Sequence, residues 1–98
     1  MKELDAEKMY RITINQSFIC ENMLSWCIYW YINEDIQKNG KCVVTSTSLI
    51  NNTKASKRTF WRAVEAGKVA GMFERTGIEH SRDDRKWILL LDPSKLSE

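Results

Sequence analysis

From Ser17 to Asn39 the chain reads as one long helix that is apolar on nearly every side, and no other segment limits the available folds as much. Asn39-Gly40 supplies the stop, because a glycine just past the last helical residue takes the left-handed cap without steric cost. At a rise of roughly 1.5 Å per residue, such a helix is about 34 Å long. Leu24, Ile28, Ile32 and Ile36 form one stripe at helical spacing, and Ile19, Met23, Trp26 and Trp30 form another; Cys27, Tyr29 and Tyr31 fill much of the remainder. A chain of 98 residues makes a single small domain, whose core covers one face of such a helix. The second face predicts a partner subunit, with Ile19, Met23, Trp26 and Trp30 as the interface of a homodimer.

The segment from Val44 to Asp92 carries a different signal. A short helix opens at Thr45, Ser46 and Thr47 and turns Leu49 and Ile50 inward; after a turn at Lys54 and Ala55, Ser56 is placed to cap a second helix. Lys57, Arg58 and Arg62 occupy the first two turns of that second helix, while Phe60, Ala63, Val64, Gly67 and Ala70 recur at the spacing of one buried face. The cations therefore point outward at the leading end, where such a helix meets a DNA major groove. Before this segment, Tyr10, Ile12 and Ile14 alternate in a strand-like arm, and Cys42 to Val44 reads as a short strand. After it, Phe73 to Ile78 and Lys86 to Leu91 read as paired strands with a polar tip from Gly77 to Arg85, and Pro93 ends the sheet.

Taken in order, Ser56, Lys57, Arg58, Thr59, Phe60, Trp61, Arg62 and Gly71, with Met72 and Phe73 opening a strand, resemble the winged helix-turn-helix domain of prokaryotic transcription regulators. Asp83-x-Arg85 followed by Leu89-x-Leu91-Asp92 looks like the wing of the multiple-antibiotic-resistance (MarR) type. Lys54 stands where that family has a glycine in the turn, and Gly67 where it has a core leucine. The length leaves no room for the terminal dimerisation helices of a full regulator, so the resemblance implies the domain and not a drug-sensing role. It implies a mainly helical α+β fold with a small β-wing: an arm over 1–14, a core and dimerisation helix over 17–39, a helix-turn-helix over 45–71 and a wing over 72–92. The function implied is sequence-specific binding of double-stranded DNA by a small cytoplasmic dimer, as a transcriptional regulator or as a plasmid or viral partition or replication accessory. Winged helices also serve as protein interaction modules without DNA binding, and fold alone does not decide between the two.

Charge favours nucleic acid. Residues 1–40 hold four Lys/Arg against six Asp/Glu, and residues 41–87 hold ten against five, so the positive excess lies with the basic helix. Lys57, Arg58 and Arg62 have the reach and donors for guanine O6 and N7. Ser56 and Thr59, with Thr47 on the first helix, suit phosphate, and Trp61 suits a thymine methyl or sugar unless it is buried against the preceding helix. Arg82, Arg85 and Lys86 at the tip suit a minor groove, with Asp83 or Asp84 bracing an arginine as the resemblance implies.

The remaining chemistry is sparse. Cys20, Cys27 and Cys42 are an odd set without C-x-x-C spacing, which indicates neither a zinc site nor a disulfide framework and fits a reducing compartment. Cys20 and Cys27 read as small buried apolar groups, and His80 as a solvated loop residue. There is no nucleophile elbow, Gly-rich phosphate loop or membrane-length apolar run, so the expectation is a binding protein with no catalytic role, cofactor, metal, small-molecule ligand or membrane partner.

Overall fold

The structure, a computed structural model, describes residues 19–40, 42, 44–76 and 86–95. Three helices and one antiparallel pair of strands make up the described architecture: α1 (Met23–Asn39), α2 (Ser46–Thr53), α3 (Lys57–Val69), β1 (Phe73–Thr76) and β2 (Lys86–Leu89), followed by a 3-10 turn over Pro93–Lys95. The chain is thus mainly helical with a two-stranded sheet, an α+β arrangement in which α1 packs on α2, α3 and β2.

Helix α1 begins at Met23 and not at Ser17. Asn22 is extended and its side-chain oxygen accepts from the Ser25 N–H at 3.2 Å, so it takes the capping place before the apolar pattern has run its length. Ile19 sits in a turn ahead of the helix. The other end is as expected: Gly40 is left-handed at φ 80°, and its N–H donates to Ile36 O at 2.8 Å.

The two tryptophans expected at a dimer interface are buried inside the chain's own core. Trp26 donates its indole N–H to Cys20 O at 2.9 Å and stands edge-on to Tyr29, with ring centroids 5.5 Å apart; Tyr29 stands edge-on in turn to Trp30 at 4.9 Å. Aromatic edges and faces pack well in this geometry, and the buried Trp26 indole N–H has its acceptor. Ile19 is half-buried against the same cluster, which leaves Met23, 45 % exposed, as the open member of the stripe. Cys27 is also exposed, contrary to the expected burial. Periodicity showed that α1 has two apolar stripes, but the single fold buries most of both.

Cys42 and Val44 do not belong to a strand. Val44 donates its N–H to Asp35 Oδ2 at 3.0 Å, so a carboxylate on α1 supplies the acceptor that a neighbouring strand would have offered. That carboxylate, together with desolvation, pushes the Cys42 thiol above its ordinary pKa; desolvation is the larger cause, and the Val44 and Trp87 amides pull the other way.

The strands pair Phe73 with Leu89, Glu74 with Ile88, Arg75 with Trp87 and Thr76 with Lys86. β2 closes at Leu89, two residues short of the expected Leu91, because the Leu90 and Leu91 N–H groups turn together onto Met72 O at 3.0 and 3.3 Å; the expected end of β1, Ile78, lies outside the described residues. Phe73 and Trp87 lie on the inner face with their rings 5.9 Å apart, and Ile88 is exposed on the outer one. Tyr29 OH donates to Leu91 O at 2.6 Å, tying α1 to the end of the sheet. Ser25 Oγ ties α1 to α3 by donating to Ala63 O at 2.5 Å.

Candidate nucleic-acid interface

Two side chains open the helix pair, each on its own helix. Thr45 Oγ1 accepts from Ser48 N–H at 2.9 Å at the start of α2, and Ser56 Oγ accepts from Thr59 N–H at 3.2 Å at the start of α3. Between them the chain reverses at Lys54, which is left-handed at φ 59° and donates its N–H to Ile50 O at 3.0 Å. This is the position where the related pattern has glycine. A residue with a Cβ holds that conformation at a cost of about 1 kcal/mol, so the turn keeps its geometry without the residue that makes it easiest.

Helix α3 then divides cleanly. Phe60, Ala63, Val64 and Gly67 are buried, with Ala70 half-buried just past the end, while Lys57, Arg58, Thr59, Trp61 and Arg62 are exposed. Thr47 is exposed on the first turn of α2. The first turn of α3 holds no acidic residue. Unpaired N–H groups and the helix dipole make that end positive, so acidic side chains would stabilise it and Lys57 and Arg58 do the opposite. Helix stability does not account for these cations.

Ser56 and Thr59 are engaged with each other. Besides capping α3, Ser56 Oγ donates to Thr59 Oγ1 at 2.9 Å, so the two hydroxyls expected to meet phosphate form a local pair. Trp61 is 39 % exposed. Its ring stands edge-on to Phe60 at 4.9 Å, and the Arg75 guanidinium lies over its face, 5.6 Å from the centroid.

Gly67 explains how Arg75 comes to be there. A Cβ at Gly67 would lie 2.7 Å from Phe73 Cε2 and 3.1 Å from Cε1, and closer still to Cζ, so the ring of Phe73 occupies the volume that a side chain on α3 would have filled. With Phe73 seated on Gly67, the period-two alternation of β1 puts Arg75 on the same inner face and carries it past the edge of the core to Trp61.

No family model, curated protein or solved structure matches this chain.

Of the residues expected at the interface, Thr47, Ser56, Lys57, Arg58, Thr59, Trp61 and Arg62 lie on the helix pair as the spacing indicated. Arg82 and Arg85, with His80, Asp83 and Asp84, fall outside the described residues; Lys86 opens β2 opposite Thr76, and its side chain also falls outside them. Arg75 was missed. Its signal is the alternation Phe73-x-Arg75, which is legible only once the strand and its packing partner are known. Among the described residues, no cluster of three His, Cys, Asp or Glu is arranged to hold a metal ion, and no helix is long and apolar enough to cross a membrane.

Proposed function

We propose that this chain is a winged helix-turn-helix protein that binds double-stranded DNA, with α3 entering the major groove. The observation that carries the reading is the placement of Lys57, Arg58 and Arg62 on the exposed side of α3 at its positive end, where they oppose the helix dipole and make no contribution to the core. Arg58 and Arg62 read base edges and Lys57 contacts phosphate. The role is that of a small cytoplasmic regulator, or of a partition or replication accessory, acting as two copies on a two-fold site, each contributing one α3. The exposed Ile88 and Leu90 favour a second reading, a protein-docking module that uses the outer side of the hairpin.

A salt-titrated binding curve separates the two. Fluorescence anisotropy is measured on random duplex DNA and on the duplex upstream of the chain's own coding region. Log K should fall linearly with log salt on both, with tighter binding to the second. Arg58→Ala and Arg62→Ala should each lose about 1 to 3 kcal/mol on the preferred duplex. Binding by these variants equal to that of the parent, or no salt-dependent binding at all, would favour the docking module.

A further inference from the structure

We infer that Lys54, in the turn between α2 and α3, is a phosphate-contacting residue of the DNA interface. The inference rests on the DNA-binding reading and extends the interface from α3 to the turn that precedes it.

Lys54 occupies a place that suits a lysine poorly. Among the described residues it is the one non-glycine at positive φ, at 59°, and glycine or asparagine would hold that backbone more easily. What the turn takes from this position is its N–H, which donates to Ile50 O at 3.0 Å, and any residue but proline supplies that group. The side chain adds no contact to the fold. It is exposed, and its ammonium makes no hydrogen bond or ion pair with any described residue. It also leaves the last carbonyls of α2 untouched, although a lysine at a helix C-terminus often bonds to them. A strained backbone that serves no contact within the chain points to a contact outside it.

The surroundings favour a polyanion. Between Asp35 and Glu65 the sequence has no acidic residue, and its cations there are Lys38, Lys41, Lys54, Lys57, Arg58 and Arg62. Lys54 stands two residues ahead of the Ser56 cap, and Lys57 and Arg58 follow in the first turn of α3. When a recognition helix enters a major groove, its N-terminal residues face the base edges while the helix before it crosses the backbone. The turn spans the step from one to the other, so its lysine meets the phosphate wall and not the bases. Ser56 and Thr59 bond to each other at this same end, so the charged side chain, and not the hydroxyl pair, supplies the contact at the turn. A compact ammonium with three rotatable donors suits a phosphate oxygen without a fixed approach. The ligand class is a phosphodiester backbone, read without sequence preference.

The test uses the full chain on mixed-sequence duplex DNA over a salt series, with Lys54→Gly, Lys54→Gln, Lys54→Arg and, as a control, Lys38→Gln. Losing one phosphate contact lowers the salt slope by about 0.9, so the affinity ratio of parent to Lys54→Gln should grow about eightfold for each tenfold dilution of salt. Lys54→Gly should do the same, and Lys54→Arg should keep the parent slope because it keeps the charge. Lys38→Gln removes an equal charge from the last turn of α1, outside the helix pair, and should leave the slope at the parent value. Melting curves on each variant report the fold separately. Lys54→Gly should melt no lower than the parent, since glycine takes the left-handed backbone freely, so its weaker binding is not a loss of structure. If Lys54→Gly and Lys54→Gln both keep the parent slope, or if Lys38→Gln lowers it equally, Lys54 is a solvated turn residue only and the inference falls. That outcome leaves the DNA-binding reading intact if Arg58→Ala and Arg62→Ala still weaken binding. Absence of salt-dependent binding by the parent itself would overturn both.

Discussion

Replacing Gly67 by Ala adds one methyl group at the most crowded point of contact between α3 and the sheet. In an exposed helix this change stabilises by about 1 kcal/mol, since glycine is the worse helix former. Here the new carbon would meet Phe73 Cε2 at 2.7 Å and Cε1 at 3.1 Å, whereas carbon atoms rest at roughly 3.5 to 4.0 Å. The ring must therefore withdraw by about an ångström into a close-packed core, where Phe73 is fully buried against Trp87. Overpacking of this kind costs typically 1 to 3 kcal/mol, which outweighs the gain in propensity. The expected net loss is about 1 kcal/mol, or a fall in Tm of roughly 4 to 8 °C for a domain of this size. Thermal unfolding followed by circular dichroism measures it. Phe73→Leu should lower stability in the parent but much less in the Gly67→Ala background, because the shorter side chain vacates the space the methyl takes. A Tm for Gly67→Ala at or above that of the parent, with strictly additive effects of the two changes, would refute the packing argument.

Two further perturbations address α1. Burial, and then the Asp92 carboxylate, push the Tyr29 phenol well above its ordinary pKa. Folding therefore favours the protonated phenol: its contribution is fully present below the unfolded-state pKa of about 10 and is lost as pH rises from there towards the folded-state value. Tyr29→Phe should cost about 1 kcal/mol at neutral pH through the lost bond to Leu91 O, and urea titrations should show the gap between parent and variant closing at alkaline pH. A gap that stays constant to the point of global unfolding would contradict the assignment. Trp26→Glu should unfold the chain instead of merely dissociating a dimer, since truncating a buried tryptophan alone costs about 3 to 5 kcal/mol and this variant also buries a charge. A folded monomer by circular dichroism and sedimentation, obtained from a dimeric parent, would restore the tryptophan stripe to an interface.

What could be read from the sequence was mostly what is settled by neighbours along the chain. Thr45, Ser56 and Gly40 mark helix ends through hydrogen bonds made within one turn, and all three were legible. The buried face of α3 followed from spacing for the same reason. The start of α1 was misplaced because apolar periodicity continues upstream of Asn22, and only the cap decides where the helix begins. The fate of Trp26 and Trp30 depended on how much of α1 its own domain covers, which is a matter of three-dimensional packing that a pattern of stripes leaves open. Lys54 and Gly67 looked like defects against the related pattern. The first proves to be a left-handed residue tolerated in place, and the second a volume exchanged with Phe73. The contact of Arg75 with Trp61 joins two elements and had no local signature.

The base of the hairpin has a consequence for the timing of its motions. Leu90 and Leu91 share the single acceptor Met72 O, and Leu91 in turn accepts from Tyr29 OH, so neither amide can open to solvent without loosening the other and the link to α1. Hydrogen exchange at these two amides should be correlated and slow, in step with the interior of α1, even though Leu90 itself is exposed. The sheet and the long helix then behave as one cooperative unit, and β1 is anchored through its neighbour while it carries a residue outward to the surface.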